Sequence, residues 1–156
     1  MSNGGTHKNH NNLIDAFCVY YDKKKKGILH ITISDEYPEL LSIIKNKIDK
    51  GYPIVNHGFI PRNELFEIYN SNHYLIFPSL TESFGLGIVE ALENGCKVIG
   101  ADLPYTHAVC KPSITFDPLD VSDMERAFIE SQSEHVKDTE QLVFNRIDDL
   151  INLLKK

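Results

Sequence analysis

The sequence predicts a doubly wound α/β domain. Short apolar strands alternate with amphipathic helices along 156 residues, and alternation of this kind implies a parallel sheet covered on both faces. The segment from Phe77 to Gly100 adds a strand, a polar glycine-bearing turn, a helix and a second apolar strand. Ligands of such sheets bind beyond the carboxyl ends of the strands, which is where the Pro78–Gly87 loop falls.

The elements follow in order. Leu13, Ile14, Ala16 and Phe17 recur at helical spacing and predict a helix over 9–24, running into a lysine run that ends at Gly27. Gly27-Ile-Leu-His-Ile-Thr-Ile predicts a strand over 28–33, rich in β-branched residues and free of interior breakers. A helix from Glu36 to Lys50 carries Leu40, Leu41, Ile44 and Ile48 on one stripe and stops at Gly51. A short strand follows over 53–56. Pro61 opens the next helix, through Tyr69, where its missing N–H costs least. Strands are predicted at 73–77, 97–100 and, as the last, 114–116, with a helix over 86–95. The loop holding Pro104 and Pro112 reads as irregular, and 121–154 as one or two helices. No internal repeat, linker or boundary divides 1–156, which reads as a single domain.

The turn between Phe77 and Gly100 carries the chemistry. Glu82 and Glu90 flank glycines that enter a helix. Backbone N–H groups at a helix start suit a phosphate, and nearby carboxylates suit sugar hydroxyls. Taken without their surroundings, both glutamates read more simply as surface carboxylates complementing a helix dipole. Lys8, beside His7 and His10, reads as a cation at a helix start, where it is slightly unfavourable to the dipole and favours an anion partner.

Composition narrows the classes. A net charge of -6 argues against non-specific nucleic-acid binding. Cys18, Cys96 and Cys110 are unclustered in apolar sequence, so they read as buried small hydrophobes of a protein in a reducing, cytosolic compartment. The scattered histidines form no metal pair, and no cofactor is expected. Ser79 and Ser83 lack a nucleophile elbow. The absence of a G-x-G-x-x-G fingerprint after a first strand counts against a dinucleotide oxidoreductase. Lys23–Lys26 admits a membrane-surface reading, but a solvated helix C-terminus is simpler.

At this point the chain resembles the C-terminal, donor-binding half of a GT-B glycosyltransferase, a Rossmann-like domain of the retaining group 1 family (family 4). Pro78-Ser-Leu-Thr-Glu-Ser-Phe-Gly-Leu-Gly, continuing through Glu90-Ala91, follows the family's Pro-Ser, Glu-x-Phe-Gly and Glu-Ala pattern in order and spacing. The segments beginning at Lys8, Val55 and Phe116 resemble the first helix, the base-contacting loop and the run after the last strand. By resemblance, Glu82 contacts the donor sugar and Lys8 neutralises the leaving diphosphate; these two are the catalytic candidates. Glu90 accepts from ribose hydroxyls, since an ionised carboxylate can hold two vicinal hydroxyls. The N–H groups of Ser83, Phe84, Gly85 and Leu86 meet the sugar or diphosphate, and the Phe59–Ile60 backbone reads the base.

The resemblance implies transfer from a UDP- or GDP-linked sugar to a saccharide or lipid-linked acceptor with retention, without a metal, in polysaccharide assembly. It also implies departures. Asn3 stands where the family often has arginine. The family's acceptor-binding domain and a first strand directly before Asn3 are expected to be missing. That strand would be central, so two interior edges are expected to lie unpaired, open to self-association. The expectation is a fragment, inactive alone, with peripheral membrane association through a lipid-linked acceptor. Two other readings remain: a non-catalytic nucleotide-binding or interaction domain needing a partner chain, and a sugar-nucleotide epimerase.

Overall fold

The computed structural model describes residues 4–144. Its elements are α1 (His10–Lys24), β1 (Leu29–Ile31), α2 (Pro38–Asp49), β2 (Ile54–Asn56), α3 (Leu65–Asn70), β3 (Tyr74–Phe77), α4 (Leu86–Glu93), β4 (Lys97–Ala101), α5 (Pro104–Val109), β5 (Cys110–Lys111), β6 (Ile114–Phe116), α6 (Val121–Glu130) and β7 (Glu140–Gln141). Single 3₁₀ turns at Thr6–Lys8 and Arg62–Glu64 precede α1 and α3.

The α/β class holds, with a division in the sheet. β1 pairs with β2 in parallel, and β3, β4 and β6 form a separate parallel sheet in that order. Side-chain amides extend the first ladder: Asn56 accepts from the Ile33 N–H at 2.9 Å and donates to the Ile33 carbonyl at 3.0 Å. The predicted strand over 28–33 is therefore shorter as a strand, its far end being held by an amide instead of a backbone partner.

Helices cover both faces. Phe17 and Tyr20 of α1 meet Phe128 of α6 at ring-centroid separations of 5.6 and 5.4 Å. Together with Leu13, Ile99, Phe116 and Met124 they build the larger core. On the other face Ile88, Val89, Val98, Val109 and Cys110 form a smaller one. Tyr74 and Ile76 pack toward the first core, Leu75 and Phe77 toward the second, the alternation expected of a strand between two layers. All three cysteines are buried and free.

Three expectations are corrected. The stretch 101–113 is not irregular: Pro104 takes the first turn of α5, where proline costs no hydrogen bond. The strand at 114–116 is not the last, because β7 pairs antiparallel with β5. Helix beyond α6 is absent from 131–144, where Val98 N–H instead donates to the Thr139 hydroxyl at 2.8 Å. The remainder of the expected C-terminal helix lies outside the described residues. Among the described residues, no helix is long and apolar enough to cross a membrane.

Candidate functional site

A cavity of about 910 Å³ opens at the carboxyl ends of β1 and β3 and runs between the two strands. Its mouth is formed by Lys8, Ser79, Glu82 and the Ser83–Gly87 turn. Each of these side chains arrives by a separate local device.

Lys8 closes a 3₁₀ turn rather than starting α1. Asn9 follows in the left-handed region at φ 58°, a conformation that asparagine tolerates better than most residues. The Asn9 amide, buried, donates to the Pro118 carbonyl at 2.6 Å, which ties this turn to the loop before α6. The Leu80 N–H donates to the His7 carbonyl at 2.7 Å and brings the glycine turn alongside. As a result Lys8 forms an ion pair with Glu82, both side chains 14% exposed. The ammonium also lies 5.8 Å from the Phe77 ring centroid.

The turn itself is fixed at both ends. The Tyr105 hydroxyl donates to the carbonyl of buried Ser79 at 2.7 Å, and burial pushes the phenol up to about 12. Gly85 caps α4 at φ 74° and ψ 37°, a left-handed geometry that favours glycine. A Cβ on Gly87 would sit 3.2 Å from the Phe77 ring, so helix and strand approach closely there. Among the described residues the N–H groups of Ser83, Phe84, Gly85 and Leu86 donate to no protein acceptor. They and the α4 N-terminus give the mouth a set of unused donors with positive dipole character. Phe84 and Leu86 are half-exposed across it.

Glu90 is placed differently. It lies one turn along α4 from Leu86, outside the cavity lining, and accepts from Arg62 Nε at 2.5 Å. Its carboxylate is 17% exposed, while Arg62 is largely in solvent. Tyr69, which does line the cavity, is pushed up to about 12, first by burial and then by the charge of Glu90. Phe59 and Ile60 also lie outside the lining, with Phe59 62% exposed. The structure thus brings together Lys8, Glu82 and residues 83–86, with Glu90 alongside and Phe59 and Ile60 apart.

Sequence reasoning missed Arg62, Asn9 and the contact of the Tyr105 hydroxyl with Ser79. For Asn9 the signal was an asparagine just before a helix, a residue at ease in left-handed backbone. For Arg62 and Tyr105 the contacts are long-range and leave no local pattern.

The family described as glycosyl transferases group 1 matches residues 1–140. The serotype-specific mannosyltransferase WbdA of Escherichia coli is 34% identical over 70 residues, 44% of this chain and 9% of that protein. The C-terminal domain of the glycosyl transferase group 1 protein LpcC from Francisella tularensis has a TM-score of 0.71 at 17% identity, covering 83% of this chain and 71% of that one. Anabaena HepE, solved in complex with UDP and glucose, has a TM-score of 0.65 at 17% identity, over 86% of this chain and 38% of that one. The chain therefore spans a small part of the curated relative. Its fold is that of GT-B glycosyltransferase C-terminal domains, and with nine-tenths of its length matched, it belongs to the glycosyl transferases group 1 family.

Proposed function

We propose that this domain binds the nucleotide-sugar donor of a retaining glycosyltransferase, with the diphosphate and sugar held at the cavity mouth. The observation that carries the reading is the joining of Lys8, Glu82 and the unused N–H groups of residues 83–86 in one concave site. Cation and amide donors face the negative charge of a diphosphate, and the carboxylate accepts from sugar hydroxyls. A UDP- or GDP-linked sugar fits this division of labour, and HepE was solved with UDP and glucose.

In the reaction, the bond between the anomeric carbon and the diphosphate oxygen breaks. The acceptor oxygen bonds to the same face of that carbon, and the acceptor's proton passes to the departing diphosphate. The protein's part is electrostatic: Lys8 and the α4 N-terminus stabilise charge that develops on the leaving group. Glu82 pairs with Lys8 and turns to the sugar when the diphosphate takes the lysine. Glu90, beside the mouth, is assigned to the ribose, with Arg62 holding it until then. Phe59 and Ile60 are assigned to the base.

Acceptor recognition, by a saccharide or lipid-linked saccharide, is assigned to surfaces outside these residues. The domain alone binds donor and transfers nothing. Amide shift mapping with UDP-glucose and GDP-mannose tests the site. Shifts centred on residues 8 and 82–87 support it. Shifts centred on the loop after β6, with that turn silent, would refute it.

A further inference from the structure

Lys8 is aimed by the residue that follows it. The Asn9 N–H closes the 3₁₀ turn on the Thr6 carbonyl at 3.1 Å, and the Asn9 carbonyl accepts from Leu13 N–H at 3.3 Å, the bond that opens α1. Between these two bonds the chain passes through the left-handed region, at φ 58° and ψ 33°. Right-handed backbone at this position would run the turn on into α1. Successive side chains would then project about 100° apart around one axis, and Lys8 would leave its side of the glycine turn. The left-handed step separates the direction of Lys8 from that of the helix.

A second demand falls on the same residue. Asn9 is 8% exposed, and its amide donates to the Pro118 carbonyl at 2.6 Å. Pro118 is itself buried, in the loop after β6. That loop is braced by its own acids. Asp117 accepts from Leu119 N–H and Asp123 from Asp117 N–H, each at 2.8 Å, and Asp120 caps α6. Helix α6 in turn packs on α1 through Phe128 against Phe17 and Tyr20. The amide therefore fixes the Lys8 turn against a stiff support, while Leu80 N–H holds it from the other side through the His7 carbonyl. Of the residues at ease in left-handed backbone, glycine has no side-chain donor and aspartate has only acceptors when ionised. Asparagine meets both demands.

We propose that Asn9 is a positioning residue for the donor's diphosphate, a role that rests on the donor-binding reading above. It does not touch the ligand. It aims the Lys8 ammonium by joining a left-handed step to an anchor on the loop after β6. Loss of the anchor is then felt by the phosphates, and only through Lys8.

A double-mutant cycle read by calorimetry tests this, with UDP and GDP as the ligands because they share the diphosphate. Asn9→Gly keeps the backbone step and removes the anchor. Glycine suits this backbone, and Asn12 still donates to the Pro118 carbonyl at 3.3 Å, so the variant should fold, as a urea midpoint will show. Its nucleotide should bind about three- to fivefold more weakly, a smaller loss than removal of the Lys8 charge itself. In a Lys8→Ala background the same change should add nothing, a result that general loosening of the fold does not produce. Asn12→Ala, which removes the longer of the two amide bonds, should leave affinity unchanged. Equal affinity in Asn9→Gly, the same loss with and without Lys8, or an equal loss in Asn12→Ala would overturn the positioning role and leave the donor site standing. No binding of either nucleotide to the unaltered chain would remove the donor site and this role with it.

Discussion

Lys8 and Glu82, 74 positions apart in the chain, meet as a largely buried ion pair at the mouth of the cavity. Each is the other's counter-charge. Replacing Lys8 by alanine leaves a buried carboxylate without its partner and should cost about 1–3 kcal/mol, read as a lowered denaturant midpoint at unchanged slope. Glu82→Gln removes the competitor for the lysine. UDP should then bind at least as well as to the unaltered chain, while UDP-sugar binding weakens.

The second pair, Arg62 with Glu90, should behave otherwise. Arg62 is 66% exposed, so screening and side-chain entropy leave little net energy. Arg62→Ala is expected to change stability by less than about 1 kcal/mol. Glu90→Ala should weaken a ribose-bearing donor without affecting inorganic diphosphate. Equal loss for both ligands in calorimetry would remove the ribose role.

Packing of β4 against α5 gives a prediction independent of function. A Cβ at Gly100 would lie 2.6 Å from the Thr106 methyl, on a fully buried threonine. Gly100→Ala should therefore destabilise by about 1–3 kcal/mol. The expected fall in melting temperature is about 2–4 °C per kcal/mol.

Alkaline stability follows from Tyr69. Its phenol is raised from an ordinary 10.0 to about 12 by burial and by Glu90. The unfolded chain therefore releases that proton first as pH rises. The folded state's advantage is whole below pH 10 and is lost between 10 and about 12. Tyr69→Phe should flatten that part of a stability-against-pH curve measured with urea.

Thiol reactivity should be low throughout the fold. Burial raises Cys18 and Cys96 and pushes Cys110 up to about 11. At pH 8 all three are thiols, and alkylation by iodoacetamide should be slow until urea unfolds the chain. A fast native reaction at Cys110 would contradict its burial.

What could be read from the sequence depended on range. Helix α1 was visible because Leu13, Ile14 and Phe17 recur at its period, and α4 because the glycine turn announces its start. The mouth was visible because residues 82–90 are contiguous. The division of the parallel sheet in the structure was expected only through family resemblance, because no local pattern marks an unpaired edge. Helix α5 was missed where two prolines suggested a loop, although Pro104 starts it. Strand β7 was missed because two residues, Glu140 and Gln141, carry no alternation to detect. The pairing of Glu90 with Arg62 also escaped the sequence, since the arginine arrives from another element.

The central claim is that the mouth holds a nucleotide sugar through Lys8 and Glu82. Calorimetric titration of the chain with UDP- and GDP-sugars, repeated on Lys8→Ala, tests it most directly. The account predicts saturable heat for one donor and an affinity about tenfold lower in the variant, the loss of one charge-assisted contact. No heat with either donor, or the same affinity with alanine at position 8, would contradict it.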